Sequence, residues 1–235
     1  MSDREALKRK AAERALEWVE DGMVLGLGTG STVRHLLELL GERLRDGALK
    51  GVTGVPTSRD TAERATALGI PLVTLEQEPR LDLALDGADE VDPALHLIKG
   101  LGGALLWEKI VATAADRFVV LVDDSKLVQR LGEKAPLPVE VVPFGWTTHL
   151  SFLERLGARA VLRVDAAGQP FVTDGGHYIL DCRFEGGIPD PAALDEALHR
   201  RPGIVETGLF LGMAKAVVVA GEAGVQVIQR TEPAT

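Results

Sequence analysis

The sequence predicts an α/β protein: a doubly wound, mainly parallel, Rossmann-like sheet carrying an inserted small α+β ferredoxin-like (βαββαβ) domain. Two observations lead to this class. Buried-strand patterns alternate with helical periodicity through the first half, and the order strand, helix, strand, strand, helix, strand follows a proline-rich boundary. With 235 residues, 46% of them apolar, the chain can bury a core for one large domain and a smaller companion.

Helices and strands alternate through the first half of the chain. Apolar spacing and glycine stops predict, in order, a helix over 1–18, a strand over 23–27, a helix over 31–43, a strand over 51–55, a helix over 58–68, strands around 72–75 and 81–85, a helix over 104–115 and a strand over 118–122. Because a helix separates most successive strands, we expect these strands to run parallel.

The composition changes near residue 132, where prolines 136, 138 and 143 bracket a short apolar run that cannot continue a helix. Beyond it we predict strand 139–142, helix 147–156, strands 159–164 and 177–183, helix 191–200 and strand 204–207. A hairpin over 214–229 is too small to fold alone, so it is expected to return to the first domain. The predicted domains are therefore 1–131 plus 208–235, and 132–207.

Composition and charge exclude several classes of protein. The formal charge of −9 argues against a nucleic-acid partner, and no apolar run approaches the ~20 residues of a membrane span. A charged amino terminus favours a soluble, cytoplasmic protein. The single cysteine, Cys182, excludes an internal disulfide and a cysteine-based zinc site, and its strand position indicates packing. The absence of asparagine suggests a thermophilic source, although a GC-rich genome produces similar composition.

The first candidate site is the glycine-rich turn from Gly26 to Thr32, which follows a buried strand and opens a helix. Backbone N–H groups and the helix dipole converge at such a turn and favour an anion. Ser31 stands where a dinucleotide motif needs its third glycine, and no Gly-Lys-Ser/Thr follows for a nucleotide P-loop. A tight turn without a ligand remains an alternative. The hydroxyls of Thr29, Ser31 and Thr32 favour a single phosphate.

A second candidate is the acidic turn Asp86-Gly87-Ala88-Asp89-Glu90. It follows a strand whose carboxyl end lies on the ligand-binding edge of a doubly wound sheet, so at least one carboxylate is expected in the crevice. The alternative is a solvated surface turn. The spacing fits no calcium loop, and no histidine lies near at ligand spacing, so no metal is predicted.

A second glycine-rich turn, Lys99-Gly100-Leu101-Gly102-Gly103, leads into a helix that carries Glu108. Its glycines let the backbone approach a ligand closely. Glu108 follows Leu105, Leu106 and Trp107, and partial desolvation by such neighbours raises a carboxyl pKa towards the range useful for a general base. From periodicity alone, a surface salt bridge to a lysine is an equal alternative.

The last candidate is Asp123-Asp124-Ser125-Lys126, again at a strand's carboxyl end. Lys126 can reach an anion there, although a solvated surface lysine is the commoner case.

These motifs, taken together and in this order, resemble type A ribose-5-phosphate isomerase nearly end to end. They are GTGST (28–32), DGADE (86–90), KGLGGALLWEK (99–109), DDSK (123–126), PLPVEVVP (136–143) and PGIVETGLF (202–210). Leu101 and the pair Leu106-Trp107 depart from the residues usual in the family, which affects the shape of the pocket wall.

The resemblance implies interconversion of ribose 5-phosphate and ribulose 5-phosphate through a cis-enediolate, in the non-oxidative pentose phosphate pathway. It implies Glu108 as the base and no metal or cofactor. It also implies a homodimer, with tetramers in some members. The implied polar catalytic groups are Asp86, Asp89 and Lys99, and the implied substrate contacts are Thr29, Gly30, Ser31, Thr32, Gly87, Ala88, Gly100, Leu101, Gly102 and Lys126.

Two alternative functions are compatible with the same crevice. A non-catalytic sugar-phosphate sensor does not need Glu108 and usually carries a DNA-binding segment, of which the sequence shows none. A sugar-phosphate hydrolase or deaminase is the other, but a deaminase is expected to place a histidine in the site, and all five histidines lie outside the motifs.

Overall fold

The computed structural model describes residues 3–230, which form two compact units. The first unit contains residues 3–88, 107–126 and 213–230, and the second contains residues 89–106 and 127–212. The predicted first helix, over 1–18, begins outside the described residues. Of the helices within 3–230, none combines the length and the apolar character needed to cross a membrane.

Helices and strands follow the predicted order closely. The α-helices between residues 3 and 230 are α1 (Asp3–Ala15), α2 (Ser31–Arg45), α3 (Arg59–Ala67), α4 (Leu105–Ala114), α5 (Leu150–Arg155) and α6 (Pro191–His199). The strands in the same range are β1 (Val24–Leu27), β2 (Thr53–Pro56), β3 (Leu83–Asp86), β4 (Glu90–Val91), β5 (Leu97–Ile98), β6 (Phe118–Asp123), β7 (Leu137–Val141), β8 (Ala158–Leu162), β9 (Tyr178–Phe184), β10 (Ile204–Thr207), β11 (Leu209–Phe210), β12 (Ala216–Gly221) and β13 (Gly224–Gln229).

The first unit contains a sheet in the order β13-β12-β6-β3-β1-β2. Its strands pair in parallel except β13, which runs antiparallel to β12. From β1 the chain passes to β2 on one side and then to β3 on the other. This reversal makes the carboxyl ends of β1 and β3 a topological switch point, where doubly wound sheets bind ligands. The predicted doubly wound sheet is confirmed.

Alternate residues of β1 face opposite sides of this sheet. Leu25 and Leu27 lie in the main core, together with residues of α1 and α2. Gly26 faces α4: a Cβ atom there would lie 2.5 Å from Cγ1 of Val111. Because glycine has no side chain at this point, α4 packs close to the sheet.

The strand predicted around 72–75 is wrong. Leu72 makes only an isolated bridge to Gly54, and a turn begins at Leu75. Pro71 lacks an N–H donor and precedes this bridge, so pairing along β2 does not extend.

The second unit contains an antiparallel sheet in the order β10-β7-β9-β8. With α5 after β7 and α6 after β9, this is the predicted ferredoxin-like βαββαβ arrangement. Its core includes Cys182, whose thiol pKa is raised by burial, which supports a packing role. The domain limits 132–207 stay a prediction, since the second unit also takes in residues 89–106.

A small sheet of two-residue strands, in the order β11-β5-β4, also belongs to the second unit. It was not predicted, because two residues are too few to show a period. Glu90 of β4 is fully buried, and its carboxylate accepts hydrogen bonds from the backbone N–H groups of one loop: Gly132 (2.5 Å), Lys134 (2.6 Å) and Ala135 (2.7 Å). The acidic turn thus also has a structural carboxylate.

Replacing Glu90 with Gln is expected to lower the free energy of unfolding by about 2–4 kcal/mol. The amide keeps one acceptor oxygen, but its NH₂ group faces N–H donors and its charge is lost. Urea unfolding of the variant measures the effect. Glu133→Gln is the matched control, because exposed Glu133 accepts a single 3.3 Å bond from the Gln129 N–H. A Glu90 variant as stable as the control would refute this role.

Candidate active site

Asp86 lies where β3 ends, beside the turn that follows β1. Its side chain is buried, and Oδ1 accepts hydrogen bonds from the N–H groups of Thr29 (3.0 Å) and Gly87 (2.7 Å). These two bonds fix the carboxylate at the switch point of the sheet.

Gly28 makes the close approach of these two strand ends possible. Its N–H donates to the carbonyl of Leu85 at 2.9 Å. A Cβ atom at Gly28 would lie only 2.2 Å from Cγ and Oδ1 of Asp86. Any side chain at this position must therefore displace the carboxylate or shift the turn after β1.

Glu108 is buried on the face of α4 that packs on the sheet. Val111, one helical turn later, contacts the space above Gly26, and residues three apart share a helix face. A narrow gap is lined by Glu108 and Asp86 together with residues of β1, β3 and α4. Within the first unit, the structure brings these two predicted carboxylates together and leaves both shielded from bulk water.

A cluster of hydroxyl groups joins the turns after β1 and β2. Thr29 Oγ1 lies 2.8 Å from the hydroxyls of Thr57 and Ser58, and the Thr61 hydroxyl donates to the Gly28 carbonyl at 2.7 Å. Ser58 also caps α3 by accepting from the Thr61 N–H at 3.1 Å. The Thr29 hydroxyl is thus held by hydroxyl groups of the turn after β2, whereas Ser31 is exposed.

The amino terminus of α2 follows this turn directly. Gly30 occupies the N-cap position with a φ of 113°, and the helix runs for 15 residues from Ser31. The first N–H groups of such a helix and its dipole favour an anion. No acidic residue occupies the first turn of α2.

Lys126 closes a short 3₁₀ turn after β6, the neighbour of β3. Asp123 at the strand end is buried and accepts from the N–H of Ser125 at 3.1 Å, which fixes the start of this turn. Lys126 itself is half-buried.

In the second unit, Lys99 and Asp89 are both tied to the backbone. Lys99 is buried, with its side-chain ammonium 5.4 Å from the centre of the Phe210 ring. Its backbone N–H donates to the Gly208 carbonyl at 2.9 Å. Asp89 Oδ2 accepts from the Leu101 N–H at 2.9 Å. A buried ammonium is held in place by its attraction to the face of an aromatic ring.

A family model described as ribose 5-phosphate isomerase A (phosphoriboisomerase A) matches residues 53–224. This chain belongs to the ribose 5-phosphate isomerase A family. The family interconverts ribose 5-phosphate and ribulose 5-phosphate, a step of the pentose phosphate pathway, and the chain is an isomerase. The predicted family, fold class and reaction are confirmed, and the family match gives no support to a sensor, hydrolase or deaminase.

The similarity extends over nearly all of the chain. The ribose-5-phosphate isomerase A of Roseiflexus castenholzii is 60% identical and that of Gloeobacter violaceus 58%, covering 93% and 96% of this chain and 93% and 97% of the relatives. A D-ribose-5-phosphate isomerase solved in complex with phospho-erythronic acid has a TM-score of 0.95 at 43% identity, covering 97% of this chain and 100% of that one. The ribose 5-phosphate isomerase A structure from Methanocaldococcus jannaschii has a TM-score of 0.90 at 43% identity, covering 96% of this chain and 99% of that one.

The hydroxyls of Thr57, Ser58 and Thr61 were missed by the sequence reasoning. The signal was present, because Thr57 and Ser58 follow β2 directly, just as Thr29 follows β1 by two residues. In a parallel sheet, polar residues after neighbouring strands meet at one edge. The other predicted contact positions of the first unit, Gly87 and Ala88, follow β3 at this edge and are half-buried.

Proposed function

We propose that this isomerase converts ribose 5-phosphate to ribulose 5-phosphate through a cis-enediolate, with Glu108 as the single base. The observation that carries the proposal is the buried pair of carboxylates, Glu108 and Asp86, lining one narrow gap at the switch point of the sheet. The reaction moves one proton between adjacent carbons, and one carboxylate can remove and return it if both carbons present the same face.

In the forward direction, Glu108 removes the proton on C2 of the open-chain aldose. The electron pair forms the C1–C2 double bond, and the carbonyl oxygen O1 becomes the second enediolate oxygen. The proton returns from Glu108 to C1 while the O2 proton is transferred to O1, which leaves a hydroxyl on C1 and restores a carbonyl at C2. Glu108 keeps 6% of its surface exposed, so burial slows the exchange of the carried proton with solvent without preventing it.

Asp86 is proposed to move protons among O1, O2 and the ring oxygen, assisting ring opening as well as isomerisation. Its two backbone hydrogen bonds hold the carboxylate in one orientation for this purpose. For Asp89 and Lys99 we retain the roles that the family resemblance implies: proton movement by Asp89, and stabilisation of oxygen charge by the Lys99 ammonium. A preorganised donor of this kind contributes about 3–4 kcal/mol to transition-state stability.

The phosphate is proposed to bind at the start of α2, over the residues Thr29–Thr32, with Lys126 as a further contact. The helix terminus, the Ser31 and Thr32 hydroxyls and the absence of an acidic residue in the first turn support this site. Gly87, Ala88, Gly100, Leu101 and Gly102 are proposed to contact the substrate through the backbone. Binding energy from the phosphate end then orients C1 and C2 for the base.

The test measures isomerisation of ribose 5-phosphate in the presence of a chelator, with phospho-erythronic acid as inhibitor. This acid is present in a relative's structure, and its planar carboxylate resembles a planar enediolate. We expect undiminished turnover with the chelator and competitive inhibition by the acid. Loss of turnover with the chelator would contradict a metal-independent reaction, and absence of competition would contradict the proposed site.

A homodimer and a cytoplasmic location are further proposals, which rest on the family resemblance. Light scattering coupled to size exclusion is expected to give the mass of two chains or, as in some members, four. A monomer that keeps full activity would contradict the assembly proposal.

A further inference from the structure

A guanidinium outside the predicted site holds the glycine turn of the second unit. Arg163 follows β8, and its Nη1 donates to the carbonyl oxygens of Gly100 (2.9 Å) and Leu101 (3.1 Å). These are residues of the turn that begins after Lys99.

The same guanidinium is anchored on the opposite side by a carboxylate. Nε and Nη2 of Arg163 donate to the two oxygens of Asp181 at 2.9 and 2.5 Å, and Asp181 lies on β9. Only about a tenth of the Arg163 side chain is exposed, so water competes little for these bonds. A two-bond arginine–carboxylate pair fixes the guanidinium plane as well as its position.

The turn has one internal hydrogen bond, from the Gly103 N–H to the Gly100 carbonyl at 3.0 Å, and further contacts from outside. Gly100 and Gly103 have φ angles of 101° and 83°, in the region that favours glycine. A Cβ atom on Gly103 would lie 2.5 Å from the ring of Phe171, and the Arg163 guanidinium lies 5.8 Å from the centre of that ring. Arg163 and Phe171 therefore pack against the turn together.

The far side of the turn holds Asp89. The Leu101 N–H that donates to Asp89 Oδ2 belongs to the same peptide group as the Gly100 carbonyl that Arg163 binds. One chain of contacts thus runs from Asp181 through Arg163 and this peptide group to the Asp89 carboxylate. Hydrogen bonding to the carbonyl also polarises the peptide and strengthens its N–H as a donor.

We infer that Arg163 is a positioning residue of the isomerase, which fixes the Gly100–Gly103 turn and, through the Leu101 N–H, the orientation of Asp89. It touches no reacting atom. The inference rests on the role proposed above for Asp89. Arg163 lies outside all the sequence motifs that resemble the family.

Arg163→Gln is expected to lower kcat by roughly 100-fold, the scale of loss that follows a displacement of about 1 Å at a reacting group. KM is expected to change less, because the proposed phosphate contacts at Thr29–Thr32 lie in the first unit. Arg163→Lys keeps the charge but not the planar fork, so it is expected to restore only part of kcat. Arg80→Lys is the matched control, since Arg80 makes the same two-bond pair with Asp116 on the exposed surface.

Hydrogen exchange separates positioning from general loss of stability. In Arg163→Gln, the amides of residues 100–103 are expected to exchange faster, while those of β8 and β9 keep their protection. Should Arg163→Gln fail to fold, Asp181→Asn tests the same anchor and is expected to lower kcat in the same direction by a smaller factor. The inference is overturned if kcat stays at the wild-type value. It is also overturned if kcat falls but β8 and β9 lose as much protection as residues 100–103. A parallel Glu108→Gln measurement shows whether the proposed function itself has failed.

Discussion

Replacing Glu108 with Gln is expected to lower kcat for ribose 5-phosphate by about 10²- to 10⁴-fold, the usual contribution of a positioned general base. The amide has nearly the same shape as the carboxylate but cannot accept the C2 proton. KM is expected to change little, because the proposed phosphate contacts at the start of α2 are untouched. Steady-state kinetics in both directions measure the loss.

The buried position of Glu108 makes a stability control necessary. Its side chain is 6% exposed, so Glu108→Gln must also be checked by urea unfolding. Glu63→Gln is the matched variant, because Glu63 is an exposed helical glutamate on α3, and it is expected to keep kcat and stability. A Glu108 variant that turns over near the wild-type rate would show that another group is the base.

Gly28→Ala is expected to lower kcat/KM by roughly 100-fold, since a displacement of about 1 Å at a catalytic group has this effect. The added methyl group would lie 2.2 Å from Asp86 Cγ, so the carboxylate must move or the turn after β1 must shift. Either movement breaks the hydrogen bond from the Thr29 N–H to Asp86. Overpacking of this kind is also expected to cost about 1–3 kcal/mol of stability.

Gly69→Ala is the control for an added methyl group on a turn glycine. Gly69 has a φ of 75° with open space around its Cβ position, so its substitution strains the backbone by roughly 1 kcal/mol without touching the site. We expect Gly69→Ala to lose stability and keep kcat/KM. If Gly28→Ala also keeps kcat/KM, the position of Asp86 does not matter for the reaction.

Most of the fold was predictable because its elements are long enough to show a period. The short ones were not: β4, β5 and β11 have two residues each. The prolines also misplaced the start of β7, which was predicted at residue 139 and lies at Leu137. Pro138 lies inside that strand, beyond the last pair with β10 at Thr207 and Val139, so its missing N–H removes no bond of the ladder.

The site was predictable in part. Glycine turns and carboxylates after strands mark the edge of a parallel sheet, which is why Asp86 and the start of α2 could be named. The burial of Glu108 was not visible in periodicity, because it depends on Gly26 letting α4 approach the sheet. Arg163 carried no signal at all, since its partners Gly100 and Asp181 are 63 and 18 residues away in the sequence.

Exchange of the C2 proton tests the central claim most directly, because it reports proton removal alone. Ribose 5-phosphate is incubated with enzyme in D₂O, and the C2 and C1 protons are followed by NMR. We predict that wild type exchanges the C2 proton and places solvent deuterium at C1 of ribulose 5-phosphate, while Glu108→Gln slows both exchange and isomerisation by the same factor. Exchange at C2 that continues near the wild-type rate in Glu108→Gln would contradict Glu108 as the base.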